Sequence, residues 1–292
     1  MKTEEILNDE LNKAKNKKIL TTYIFENEKL YELTKENVIN IETMLLYNPR
    51  YSNFNDINIS VTNFVTNSAE YLINETSTSL IRLIKNGLEN EKIFKTEYNI
   101  KDGVNGNLIF HILRKLNQEN STRASIKDIK NMTRKIGKEC NYCIEKLFSI
   151  LENTEEGHNL IGNLTVIEGS NENFSLATKF CHYTCINYFN DSKRRDNYSI
   201  YDNIVAKSIH KYFKRELIKK DIKYNEFSNI EKDTLKNDIK NITDIEKRQD
   251  KYIEFYKNFQ KLIDDIIDVA SEKHKQKINR NGFDHILWYT NK

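Results

Sequence analysis

The sequence predicts an all-α protein, and composition and spacing carry that expectation. The 292 residues include one proline, Pro49, and 8 glycines. Turn-rich β architectures use both residue types, and helix interiors tolerate neither well. Apolar residues recur three or four positions apart over several long stretches, which is the pattern of a helix with one buried face. Hydrophobic residues make up 38% and charged residues 30%. A sizeable core is therefore available under a well-solvated surface, and the composition is not that of a disordered chain.

The elements are taken in chain order. Residues 1–18 are charged and amphipathic and lack the apolar run of a secretory signal. Residues 61–84 place Val61, Phe64, Val65, Ala69, Leu72, Ile73, Leu80 and Ile84 at helical spacing. A polar loop is expected over 95–106 and a short helix over 108–116. The clearest stripe runs over 125–151, through Ile126, Ile129, Met132, Ile136, Cys140, Cys143, Leu147 and Leu151. Glu156, Gly157 and His158, then Gly162 and Asn163, read as turn signals that separate the middle of the chain from its later part. Loops are expected over 166–173 and 187–198. Helices are expected over 175–189, 202–221 and 245–271. The stretch 222–248, rich in Lys, Asp, Asn and Glu, reads as a solvated helical surface or a mobile insertion.

No stretch approaches the ~20 apolar residues that span a bilayer. The four cysteines are expected to be reduced, in a cytoplasmic setting. Cys140/Cys143 and Cys181/Cys185 share a helical face pairwise. Two such pairs can in principle form a tetrahedral zinc site, but buried cysteine is common in helical cores, and no metal is expected. Net charge is only +3, yet residues 175–223 hold 11 Lys/Arg against 5 Asp/Glu. Positive charge is concentrated in that segment.

Within it lie the residues that suggest chemistry. Ser175 is the expected N-cap of a helix reading Phe174-Ser175-Leu176-Ala177-Thr178-Lys179. Lys179 falls just beyond the first turn, where the helix dipole opposes a positive charge and favours the neutral, nucleophilic amine. Further on, Tyr198-Ser199-Ile200-Tyr201-Asp202-Asn203-Ile204-Val205 reads as an extended stretch entering the next helix, with Asp202 at the N-cap position. By spacing alone, Lys179 is a surface lysine and Asp202 an ordinary cap.

Taken together, Thr-Lys near a helix start and an aliphatic-x-Asp-x-x-Val opening the next helix resemble the core of the helix-hairpin-helix DNA glycosylases. The 8-oxoguanine DNA glycosylase-like branch is the most similar. The resemblance covers about residues 169–209, with weaker support from Phe283 to Tyr289. One departure stands out: the family's hairpin has a Gly-x-Gly core that holds a phosphate, and residues 168–173 here contain only Gly169.

The resemblance implies two helical lobes with a cleft between them, one of residues 57–167 and the other of 1–56 plus 168–292. It implies DNA carrying a modified or damaged base, such as 8-oxoguanine, as the partner, and no cofactor. A flipped base would be displaced by Lys179 attacking the sugar, with Asp202 stabilising the developing positive charge and moving protons. The resulting Schiff base opens a route to β-elimination, that is, to lyase activity. Ser175, Arg194, Arg195, Lys207, Lys211 and Lys214 are the expected DNA-backbone contacts. His182, Tyr183 and Trp288 are either pocket-lining or structural. Two other outcomes stay open: a monofunctional glycosylase acting on modified bases of foreign, for example phage, DNA, and an inactive DNA-binding or interaction protein of the same fold.

Overall fold

The computed structural model describes residues 20–25, 27–47, 108–119, 122–189, 191–217 and 232–290. The expected helix over 61–84 and loop over 95–106 lie outside these residues. The described chain is mostly helical. A short hairpin, β1 (Thr22–Phe25) and β2 (Glu28–Tyr31), is followed by α1 (Lys35–Tyr47), α2 (Leu108–Glu119), α3 (Ile126–Glu139) and α4 (Ile144–Glu152). Then come α5 (Thr154–Thr165), α6 (Phe174–Tyr188), α7 (Ser192–Arg195), α8 (Asn203–Glu216), α9 (Lys232–Ile239), α10 (Ile245–His274) and α11 (Arg280–Thr290). No helix among the described residues is long and apolar enough to cross a membrane.

The described residues fall into two compact units. Residues 108–202 and 232–259 make one; 20–47, 203–217 and 260–290 make the other. Residues 168–202 thus group with the middle of the chain rather than with its ends.

In the second-named unit, β1 and β2 pair antiparallel with Thr22 opposite Tyr31 and Phe25 opposite Glu28. Asn27 turns the hairpin with φ of 66°, a conformation Asn tolerates better than most residues. Asn37 on α1 ties the hairpin's ends together. Its Nδ2 donates to the carbonyls of Thr21 and Glu32, both at 2.8 Å, and its Oδ1 accepts from the Thr21 N–H at 3.0 Å. Helix α11 packs on both α1 and α8, around Leu33, Ile41, Ile209, Phe213, Phe283 and Ile286.

In the other unit, α6 is the central helix. Leu176, Ala177, Phe180, Cys181 and Cys185 are completely buried, and α6 packs against α2, α4, α5 and α7. A helix buried nearly all round must place its polar side chains against internal partners.

Three expectations about elements need correction. The stripe over 125–151 is two helices. Asn141 and Tyr142, with φ of 50° and 56°, break it between α3 and α4. Neither residue is a glycine or proline, and a lone Asn is a weak signal for the break. Gly157 is no turn; it lies inside α5. A Cβ there would overlap the Tyr198 side chain, so the glycine admits a close approach. Ser175 is not the N-cap of α6. Asn173 holds that position, and Ser175 lies inside the first turn.

Candidate functional site

The start of α6 is fixed by aromatic packing. The Phe174 ring lies 5.2 Å from Tyr201, 5.0 Å from Tyr252 and 5.8 Å from Phe255. Tyr201 also meets Phe255 and Phe259 edge-on, at 5.1 and 4.9 Å. Such pairs contribute about 0.5–1.5 kcal/mol each beyond area burial. They seat the segment 198–202 against the first two turns of α6.

Lys179 and Asp202 meet there. The Nζ of Lys179 is 3.0 Å from Oδ2 of Asp202, with the lysine side chain 5% and the aspartate side chain 16% exposed. This is a nearly buried ion pair, open to solvent on the carboxylate side. With the lysine side chain 5% exposed, little water is there to screen the pair.

His182, one turn along, is 1% exposed. Its Nδ1 is 2.6 Å from the Tyr198 carbonyl. A carbonyl only accepts, so Nδ1 carries the proton and the imidazole serves to hold the segment. The Tyr183 ring packs on His182 edge-on at 5.0 Å and is likewise buried. Sequence reasoning passed over two further polar groups: Thr178, next to Lys179, and Tyr256, on α10. Both hydrogen-bond to the backbone of 199–201. Thr178 was legible only as the neighbour of the lysine. Nothing local marks Tyr256, which comes from a distant helix.

The basic residues divide differently. Arg194 is bound to Asp191 and, at 2.9 Å, to Glu152, and lies 5.1 Å over the Phe189 ring. Its hydrogen bond to Asp191 raises its pKa. Arg195 is exposed in the same short helix. Lys207, Lys211, Lys214 and Trp288 belong to the other unit. There Lys211 is 2.7 Å from Glu28, whose carboxyl the contact holds below its usual range. Lys207 is exposed; Lys214 and Trp288 are half-buried. Ser175 is half-buried too, and its carbonyl accepts from the Thr178 hydroxyl at 3.1 Å.

Residues 166–173 connect α5 to α6 through a tight turn. The Ser170 N–H donates to the Ile167 carbonyl at 3.0 Å, and Gly169 has φ of 70°. Three of the amides here, those of Ser170, Asn171 and Asn173, are taken internally. Asn171 N–H donates to Asp128 Oδ1 at 3.0 Å and Asn173 N–H to the Thr165 carbonyl at 3.2 Å. Asp128 and Glu172 add carboxylates on this side, and Arg248 and the Tyr252 hydroxyl engage Glu172. The Ser170, Asn171 and Asn173 amides, so committed, offer a phosphate little.

Burial pushes the Cys140 thiol up to about 11 and drives Cys181 and Cys185 further up. None of the three is poised as a thiolate. Among the described residues, no group of three or more His, Cys, Asp or Glu side chains could hold a metal ion. Comparison with protein-family models, with curated proteins and with solved structures finds no match to this chain.

Proposed function

We propose that this protein is a DNA glycosylase that excises a modified or damaged base, such as 8-oxoguanine, with Lys179 as nucleophile and Asp202 as its acid–base and electrostatic partner. The observation that carries the reading is the ion pair itself. Two residues chosen from the sequence by family resemblance lie 3.0 Å apart in a mostly buried setting with one side open. Chemistry of this kind needs an amine beside a carboxylate that can take its proton.

In the proposed reaction Asp202 accepts a proton from the Lys179 ammonium. The freed lone pair attacks C1′, the N–C1′ bond forms, and the bond from C1′ to the base breaks. The base leaves with that electron pair and takes up a proton. Loss of the amine proton and opening of the sugar ring give a Schiff base, from which β-elimination nicks the strand. The carboxylate offsets the positive charge that builds on the sugar as the base departs.

A second reading draws on the same pair. An ammonium held by the carboxylate has no lone pair to attack with, and Asp202 then activates water for hydrolytic release by a monofunctional enzyme. The two readings part in one assay. Duplexes carrying 8-oxoguanine and other modified bases are incubated with wild type and Lys179→Gln, and base release and nicking are both measured. The lysine mechanism predicts release with nicking in wild type and neither in the variant. Release from an intact strand that survives in Lys179→Gln favours the hydrolytic reading. Neither product from any duplex, with DNA binding retained, leaves an inactive DNA-binding protein.

A further inference from the structure

Buried backbone outside helices and strands still needs partners for its N–H and C=O groups. The segment 198–202 has no strand beside it among the described residues. Two hydroxyl groups take that role at alternate positions. The Tyr256 hydroxyl accepts the Ser199 N–H at 3.0 Å and donates to the Ser199 carbonyl at 2.6 Å. The Thr178 hydroxyl accepts the Tyr201 N–H at 3.2 Å. Its proton is within reach of the Ser175 carbonyl at 3.1 Å and the Tyr201 carbonyl at 3.5 Å. Tyr256, Ser199 and Tyr201 are all buried.

The contacts form a register. Along α6, residues 178, 179 and 182 meet residues 201, 202 and 198. The segment therefore runs antiparallel to the helix, pinned at 198, 199 and 201. A backbone fixed at three of the four residues before Asp202 cannot slide its carboxylate along α6. The position of Oδ2 opposite Nζ is then set by the clasp as well as by charge attraction.

We infer that Tyr256 and Thr178 are positioning residues: their hydroxyls clasp the backbone of 199 and 201 and hold the Asp202 carboxylate in register with Lys179. That the register serves catalysis rests on the base-excision reading; that it sets the geometry of the pair does not.

The full chain is compared as wild type, Tyr256→Phe, Thr178→Val and Thr178→Ser, with two measurements. The first, without DNA, is the rate of reductive methylation of Lys179 by formaldehyde and cyanoborohydride, read by peptide mass. The second is the steady-state cleavage of an abasic duplex, resolved into kcat and KM. Loss of the clasp frees the amine, so the Phe and Val variants methylate Lys179 about tenfold faster than wild type, and Thr178→Ser matches wild type. On the duplex, kcat falls about tenfold in both variants with KM within about twofold, and Thr178→Ser restores it. Wild-type methylation in the Phe and Val variants, a loss that falls on KM, or a Ser variant that fails to restore the rate overturns the inference. If wild type cleaves no DNA, the base-excision reading falls by itself and the methylation rates decide the positioning role. If Tyr256→Phe does not fold, the Thr178 variants decide.

Discussion

Lys179 and Asp202 illustrate what a buried charge requires of its neighbours. Removing one charge leaves the other in a setting with little water, and such losses cost about 3–5 kcal/mol when both partners are fully buried. Asp202 keeps 16% of its side-chain surface exposed, which softens the penalty. Lys179→Met should therefore destabilise by about 2–3 kcal/mol. Adding Asp202→Leu should recover part of that loss, because an apolar pair of similar volume needs no compensating charge. Urea unfolding of the two single variants and the double variant checks this. A double variant less stable than either single would contradict it. At this scale the sequence was informative in a particular way. The lysine and the aspartate stood out as a motif, whereas their hydroxyl supports did not. A tyrosine at 256, far along the chain, cannot be connected to Ser199 until the fold brings α10 alongside.

At the scale of elements, Gly157 shows how a local signal misleads. Glycine usually marks a turn or a helix end. Here it sits within α5 because the Tyr198 side chain approaches the helix backbone closely. That tyrosine donates to the Leu151 carbonyl at 2.9 Å and packs edge-on to His158 at 6.2 Å. Alanine is the better helix former by about 1 kcal/mol, but the overlap opposes it. Gly157→Ala should destabilise by about 1–3 kcal/mol in thermal or urea unfolding. Because the hydroxyl is the nearest atom, Gly157→Ala combined with Tyr198→Phe should lose less than the sum of the two single losses. Simple additivity would show that the close approach is not the constraint. The amphipathic stripes located α2, α8 and α10 well, because each buries a continuous face and carries a period near 3.6. The Asn141–Tyr142 break was hard to read for the opposite reason: Asn tolerates positive φ, but a bulky tyrosine beside it seldom adopts it. The β1–β2 hairpin, at 4 residues per strand, is too short to register against so helical a composition.

On the scale of the whole molecule, the scarcity of proline and glycine was enough to give the helical class. The basic character of residues 175–223 did not translate into one block. Its described part is shared between the two units, and some of its charges are matched by acids within their own unit. On the proposed base-excision reading, this bears directly on how the protein would bind DNA. Each lysine or arginine that neutralises a phosphate adds roughly one to the salt slope of the affinity. Arg195 and Lys207, exposed, should each lower that slope by about one when changed to alanine, with weaker binding to any sequence. Arg194→Ala and Lys211→Ala should change it by much less, because both side chains already hold carboxylates. Fluorescence anisotropy on one duplex across a salt series reads the slopes. Equal effects from all four would show that the internal pairs give way on binding.

The most direct test of the central claim is borohydride trapping on duplexes that carry an abasic site or 8-oxoguanine, with the adduct digested and mapped by mass spectrometry. The account predicts a covalent protein–DNA adduct on the peptide containing Lys179, lost in Lys179→Gln and strongly reduced in Asp202→Asn. An adduct on a different lysine, or one undiminished in Lys179→Gln, would contradict it.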